Sequence, residues 1–147
     1  MSQETFQIRA ARVDDLPSIV SIQETIVQNK VSRSWVSHLE EQLTSKNSRC
    51  LAAVANDEVV GFIISEIKVG AFGADLSGWL GYVGISPKKM GQGIGRTLAR
   101  TLFEGFRKEG VNSIYTAARW DSVDMLSFFK SLGFDRSPFI NLCKQLD

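Results

Sequence analysis

Apolar side chains recur along the chain with two different periods, and the switches between them divide it into elements. Leu16, Ile19, Val20, Ile26 and Val27 fall at helical spacing behind Asp14, Asp15 and Pro17, which supply two cap candidates and a first-turn proline. A short strand, about 5–10, is predicted before them. A second helix runs from Ser34 through Trp35, Leu39 and Leu43. The period then changes. Residues 50–55 are short and apolar, Asn56-Asp57-Glu58 is turn-forming and 59–67 resumes as a strand, which predicts a β-hairpin. A glycine-rich connection, 70–78, leads to a further apolar strand at 79–85, stopped by Ser86-Pro87. Ile94, Leu98, Leu102 and Phe106 stand at i, i+4, i+8 and i+12, marking the buried face of a helix over 93–109 that ends at Gly110. A strand at 111–118, a helix at 122–132 closed by Gly133 and a final strand at 139–146 complete the order.

Strands grouped in the centre and then alternating with helices predict an α/β domain on a mixed sheet, with strand 79–85, helix 93–109 and strand 111–118 as one crossover unit. No repeat, linker or low-complexity tract intervenes, so residues 1–147 are read as one domain. At 147 residues, 44% apolar and 22% charged, the chain buries enough surface to fold without disulfides or a structural metal. Cys50, Cys143 and the lone His38 make no metal-ligand spacing, so no metal is expected, and a reducing cytoplasm is. A net charge of +1 provides no general field toward nucleic acid or an anionic membrane. The first residues lack the basic stretch and apolar core of a signal peptide, and no apolar run is long enough to span a bilayer. Neither a nucleic-acid nor a membrane partner is expected; a homodimer is compatible with the sequence.

Chemistry concentrates where strand 79–85 meets the next helix, through Gly91, Gln92, Gly93, Ile94, Gly95 and Arg96. A strand-to-helix turn gathers backbone N–H groups and the positive end of a helix around one point, which suits a pyrophosphate. Glycines there let a ligand reach the backbone and supply the positive φ that a nest of successive amides requires. Lys89 and Arg96 add charge at the edge. Two other phosphate loops fit poorly. A P-loop needs Gly-Lys-Ser/Thr, but Gly95 is followed by Arg96-Thr97; a dinucleotide fingerprint needs a third glycine where Arg96 stands.

With these residues in view, the chain resembles the GNAT superfamily of N-acetyltransferases. The family's acetyl-CoA loop reads Arg/Gln-x-x-Gly-x-Gly/Ala after a strand with an apolar-x-Pro corner, and Gly93 and Gly95 match it; Met90 departs from it at the Arg/Gln place. Residues 122–134 are similar to the family's Asn-x-x-Ala-x-x-x-Tyr-x-x-x-Gly-Phe helix, and 8–16 to its opening strand and helix. The resemblance implies a central, mostly antiparallel sheet with splayed fourth and fifth strands, flanked by about four helices. It implies an enzyme that uses acetyl-CoA as cosubstrate and an amine as acceptor, with direct transfer in a ternary complex. The pantetheine arm would pair with the strand at Val83, Gly84 and Ile85, where Gly84 is expected to allow close approach. Ser122, at the family's Asn place, would contact the cofactor, though it is equally a helix N-cap.

Catalytic groups are less legible. The family's acid is a tyrosine where this chain has Phe129. A thiol titrating at about 8.5 is already a tolerable leaving group, and a general acid contributes about 10²–10⁴-fold, so activity survives its absence. Tyr115 and Tyr82 are the replacement candidates. Strand 79–85 carries no acid and Ala117 stands where the fifth strand sometimes has one, leaving Asp121 and Glu66 as candidate bases; each is equally a turn or solvated strand residue. Glu24, Gln28, Trp35, His38 and Phe72 fall where the family recognises its acceptor. Phe129, Met90 and Ala117 together motivate the alternative, a CoA-binding regulatory or interaction module without catalysis.

Overall fold

The computed structural model describes residues 5–73 and 75–147, the side chain of Phe72 excepted. Its elements are β1 (Gln7–Ala10), α1 (Leu16–Val27), α2 (Arg33–Thr44), β2 (Leu51–Ala55), β3 (Glu58–Val69), β4 (Leu76–Ile85), α3 (Ile94–Lys108), β5 (Ile114–Thr116) and α4 (Val123–Ser131). Asn56 and Asp57, at φ 52° and 63°, make the two-residue turn that folds β3 back on β2. The strands lie in the order β1-β2-β3-β4-β5, antiparallel up to β4 and parallel between β4 and β5, because α3 carries the chain back across the sheet before β5 begins. This is the mixed sheet with four helices that the sequence predicts. The chain packs as two units: one ends at Thr116 and holds the whole sheet with α1, α2 and α3; the other begins at Ala117 and holds α4.

Register assigns β3 and β4 side chains to two faces. Phe62 pairs with Gly84, Ile64 with Tyr82, Glu66 with Trp79 and Lys68 with Ser77; Gly61 with Ile85, Ser65 with Leu80 and Ile67 with Gly78 form the other set. Ile19, Ile22 and Leu39 from α1 and α2 bury the first face at Phe62 and Ile64. Helix α3 covers the second through Ile94 and Phe106. Between Ile64 and Ser65 the register steps, so Gly81 has no partner across the ladder and bulges.

Two close approaches explain where β4 starts and what it leaves out. A methyl group at Gly78 would stand 2.6 Å from the Phe106 ring, and one at Gly84 2.6 Å from the Phe62 ring. Read as part of a glycine-rich connection, Leu76 to Gly78 is strand instead, its missing side chain filled by an aromatic ring of α3. Gly84 likewise makes room for the Phe62 ring. Beside them, Ser77 is fully buried and its Oγ has no hydrogen-bond partner among the described residues.

Asp15 also differs from expectation. Its carboxylate does not cap α1; it accepts two bonds from the Arg9 guanidinium (2.7 and 2.8 Å) and one from the Arg12 N–H (2.8 Å), at 6% exposure. The Arg9 hydrogen bonds hold its pKa below the ordinary value despite burial. Its stabilising effect is therefore complete above the ordinary carboxylate range and is lost as pH falls through the depressed value.

The predicted last strand does not form. Residues 139–147 make no ladder, and Ile140, Leu142 and Leu146 are more than four-fifths exposed. Alternating apolar residues specify a strand only where an edge pairs with them. The 111–118 strand shortens for the same reason to Ile114–Thr116, the three residues that β4 pairs.

Neighbouring substitutions in β4 should act in opposite directions. Gly78→Ala forces a methyl into the Phe106 ring and should cost about 1–3 kcal/mol in urea unfolding. Ser77→Ala removes an unpaired buried hydroxyl and should be neutral or stabilising by about 1 kcal/mol. Asp15→Asn should cost about 1–3 kcal/mol at pH 7, and its gap from the native chain should close as pH drops below about 4; a gap constant with pH would reject the ion pair as its source.

Candidate functional site

Three residue pairs join β4 to β5: Gly78 with Ile114, Trp79 with Tyr115 and Leu80 with Thr116. At the last pair the Thr116 hydroxyl donates to the Leu80 carbonyl (2.9 Å), ending the ladder with a side chain. Strand β4 continues to Ile85 with β3 alone, so the stretch with Val83, Gly84 and Ile85 leaves one side of its backbone outside any ladder. Such an edge offers N–H and C=O groups to an extended ligand.

The chain then turns through Pro87–Lys89 into the glycine loop. Gly91 and Gly93 adopt φ 84° and 80°, and nothing stands within 4 Å of where their side chains would be. Both requirements of a ligand cradle are met: left-handed backbone that favours glycine, and open space above it. Gly93 is the N-cap of the 15-residue α3, and no side chain caps the helix. Its carbonyl accepts from the Thr97 N–H and Oγ1 (3.0 and 2.9 Å). Ile94 is buried against Gly61 and fixes the head of α3 to the sheet, while Gln92 is exposed and Gly95 and Arg96 are half-buried. Lys88, Lys89, Arg96 and Arg100 lie in a stretch of sequence with no acidic residue between Asp75 and Glu104.

Aromatic side chains gather on the face opposite α3. Trp35 and His38 of α2 meet Tyr82 edge-on, with ring centroids 5.5 and 6.2 Å apart. Short of the fork, Tyr115 stacks on Trp79 (5.7 Å, 27°). The Lys68 ammonium lies 4.3 Å from the Trp79 ring centroid and 3.9 Å from Glu66 Oε1. Glu24 is committed locally, accepting from the Val31 N–H (3.1 Å), and Gln28 ends α1 in left-handed backbone. The Phe72 side chain lies outside the described residues.

In the second unit, both Asp121 oxygens accept from Arg119 (2.9 Å each), and this hydrogen bonding lowers the Asp121 pKa. A carboxylate so held is a weaker base. Ser122 occupies the N-cap of α4, yet its hydroxyl makes no cap bond. Phe129 is buried against the rings of Phe128 and Phe134. Neither cysteine is bridged; burial pushes the Cys50 thiol up, away from a nucleophilic thiolate. Cys50 lines a cavity of about 250 Å³ with Leu43, Leu51, Leu102, Gly105 and Phe106, which none of the loop glycines lines. Among the described residues no cluster of metal-ligating side chains occurs, and no helix is long and apolar enough to cross a membrane.

Thr116, Lys68 and Trp79 were not singled out by sequence reasoning. Their roles depend on where the β4–β5 ladder stops and on a bulge, which no local pattern announces.

Residues 16–134 match the model of the Acetyltransferase (GNAT) family, a span that crosses the boundary between the two units. A mycothiol acetyltransferase of Renibacterium salmoninarum is 31% identical over 100 residues; the match covers 68% of this chain and 30% of that protein, so the chain corresponds to under a third of that relative's length. Similar solved structures include an aminoglycoside acetyltransferase from an uncultured soil metagenomic sample in complex with sisomicin (TM-score 0.80, 18% identity, 97% of each chain). Another is an aminoglycoside N-acetyltransferase in complex with CoA (TM-score 0.82, 14% identity, 98% of this chain and 97% of that one). The solved structures share the fold at low identity, and the match of residues 16–134 places the chain in the Acetyltransferase (GNAT) family.

Proposed function

We propose that the chain, acting through residues 1–147 as one domain, transfers an acetyl group from acetyl-CoA directly to a primary amine. The observation that carries this reading is the open, positively curled pair Gly91 and Gly93 at the uncapped head of α3, continuous with the unladdered side of β4. Backbone from Gly91 through Gln92, Gly93, Ile94 and Gly95 to Arg96 would hold the pyrophosphate, with Lys88 and Lys89 at its edge. Val83, Gly84 and Ile85 would pair with the pantetheine amides, and the Ser122 hydroxyl, uncommitted to its helix, would contact the cofactor. When bound, acetyl-CoA supplies a thioester whose acetyl carbon bonds to the acceptor nitrogen as the carbon–sulfur bond breaks, leaving an amide and a thiol. A β4 backbone N–H beyond Leu80 steadies the carbonyl oxygen as it gains charge.

Proton transfer falls mainly to water in this reading. Asp121 is clamped by Arg119, Glu66 faces Lys68, and Tyr115 is stacked on Trp79. Phe129 has no proton to give. Direct attack is favoured because Cys50 is a half-buried thiol outside β4 and β5, and Cys143 lies in the unladdered tail. The free thiols accord with a reducing cytoplasm.

Acetyl-CoA at about a hundred times its Kd should stabilise the native chain by about 2.7 kcal/mol, visible as a rise in melting temperature. Gly93→Glu should abolish that rise; Gly93→Asn, which tolerates left-handed backbone, should keep most of it. No rise in the native chain would reject the cofactor site. Release of free CoA with added amine tests turnover, and cofactor binding with no release across an amine panel would favour the inactive module. Phe129→Tyr should raise turnover about tenfold or more at pH 7, with the gain fading above about pH 9, where the leaving thiolate needs no proton.

A further inference from the structure

Lys68, Glu66, Trp79 and Tyr115 form a patch that the transfer chemistry above leaves unused. The ladder registers Glu66 with Trp79 and Trp79 with Tyr115, while Lys68 stands two residues beyond Glu66 on the same face. Trp79 and Tyr115 are stacked and half-buried, so the ring is a fixed platform. Over it hangs an ammonium, 4.3 Å from the centroid and 3.9 Å from a carboxylate oxygen. Those are the two elements that recognise an alkylammonium: an aromatic face and an anion at its side. The present occupant is the end of a long side chain, 45% exposed, in an ion pair at the outer limit of contact. Exposed pairs of this kind contribute little, so the ammonium exchanges at small cost and Lys68 can swing into solvent.

We propose that this patch is a cation subsite for the acceptor, which therefore carries a second positive nitrogen besides the one that is acetylated. The inference rests on the acetyltransferase reading above for the position of the reacting amine. Trp79 lies one residue before the last β4–β5 pair, and Tyr82 begins the stretch that only β3 holds. They stand three positions apart on a bulged strand, roughly 7–10 Å. The class that fits is an aliphatic di- or polyamine whose nitrogens are spaced by that distance. One amine reaches the fork beside Tyr82, and the other rests on Trp79 next to Glu66 in place of Lys68.

Hexane-1,6-diamine and hexylamine, compared with acetyl-CoA at low ionic strength, differ in the second charge alone. The native chain should prefer the diamine about tenfold in kcat/KM, and the preference should shrink as salt is added. Glu66→Gln should raise KM for the diamine several-fold, and Lys68→Met, which vacates the ring, should lower it; both positions are exposed enough that folding is not at stake. Equal kcat/KM for the two amines in the native chain overturns the subsite. So does a Glu66→Gln variant that loses kcat equally with both, which would make Glu66 a base. Calorimetry of hexane-1,6-diamine against the CoA-loaded chain separates the two readings without turnover. Binding that Glu66→Gln weakens, with no acetylation, keeps the subsite and rejects the enzyme; acetylation of hexylamine with no measurable diamine preference or binding keeps the enzyme and rejects the subsite.

Discussion

Strand β4 is held on both sides from Gly78 to Leu80 and on one side from there to Ile85, and the rest of the molecule is arranged around that change. A parallel neighbour must be reached by a crossover, and α3 is the crossover; its length and its packing decide how far β5 can run beside β4. Phe106 drives its ring into the gap over Gly78 and seats the end of α3, while Ile94 seats its head against Gly61. The helix is thus fixed at both ends on the sheet, and its first turn is aimed from a rigid element rather than from a floppy loop. Thr116 finishes the paired section by spending its hydroxyl on the Leu80 carbonyl, so the fork begins at a defined residue.

The same register divides labour between the faces of the sheet. On one, α3 brings a positive helix end with Arg96 and Arg100 in its first turns, suited to phosphates. On the other, α1 and α2 bury Phe62 and Ile64, and beyond that core the face turns aromatic at Tyr82, Trp79 and Tyr115. The two faces of one strand thus differ in chemistry, a helix head with basic residues on one and aromatic rings on the other. The bulge at Gly81 lies between the two aromatic groups, at Tyr82 and at Trp79.

Helical periodicity made α1, α2, α3 and α4 legible to within a few residues, because each packs one apolar stripe and the stripe is written locally. The hairpin at Asn56-Asp57 was legible for the same reason. What failed needed a distant partner. Gly78 reads as loop until the Phe106 ring is known to occupy its missing side chain, and Asp15 reads as a cap until Arg9, six residues earlier, is seen to take both oxygens. Residues 139–146 alternate as a strand would, yet no edge takes them up among the described residues. In the candidate site the glycine loop was legible because glycine is itself the chemical requirement there. The Lys68–Trp79 contact was not, since it depends on a register that steps at Ile64.

The scarcity of acid–base groups around the fork is less damaging than it first looks, once magnitudes are compared. A positioned acid or base contributes about 10²–10⁴-fold, whereas holding two reactants in attacking geometry reaches effective molarities of about 10⁵–10⁸ M. In the proposed reading, a chain with Phe129 in place of a phenol and Asp121 tied to Arg119 forgoes only the smaller of these effects. The larger one requires a cofactor held along a rigid edge and an amine held at two points, so that neither drifts during the attempt. In the proposed reading the fork would secure the first through β4 backbone that, among the described residues, lies outside any ladder on one side. A cation subsite one residue short of it would secure the second, by holding the acceptor at a point other than the reacting nitrogen.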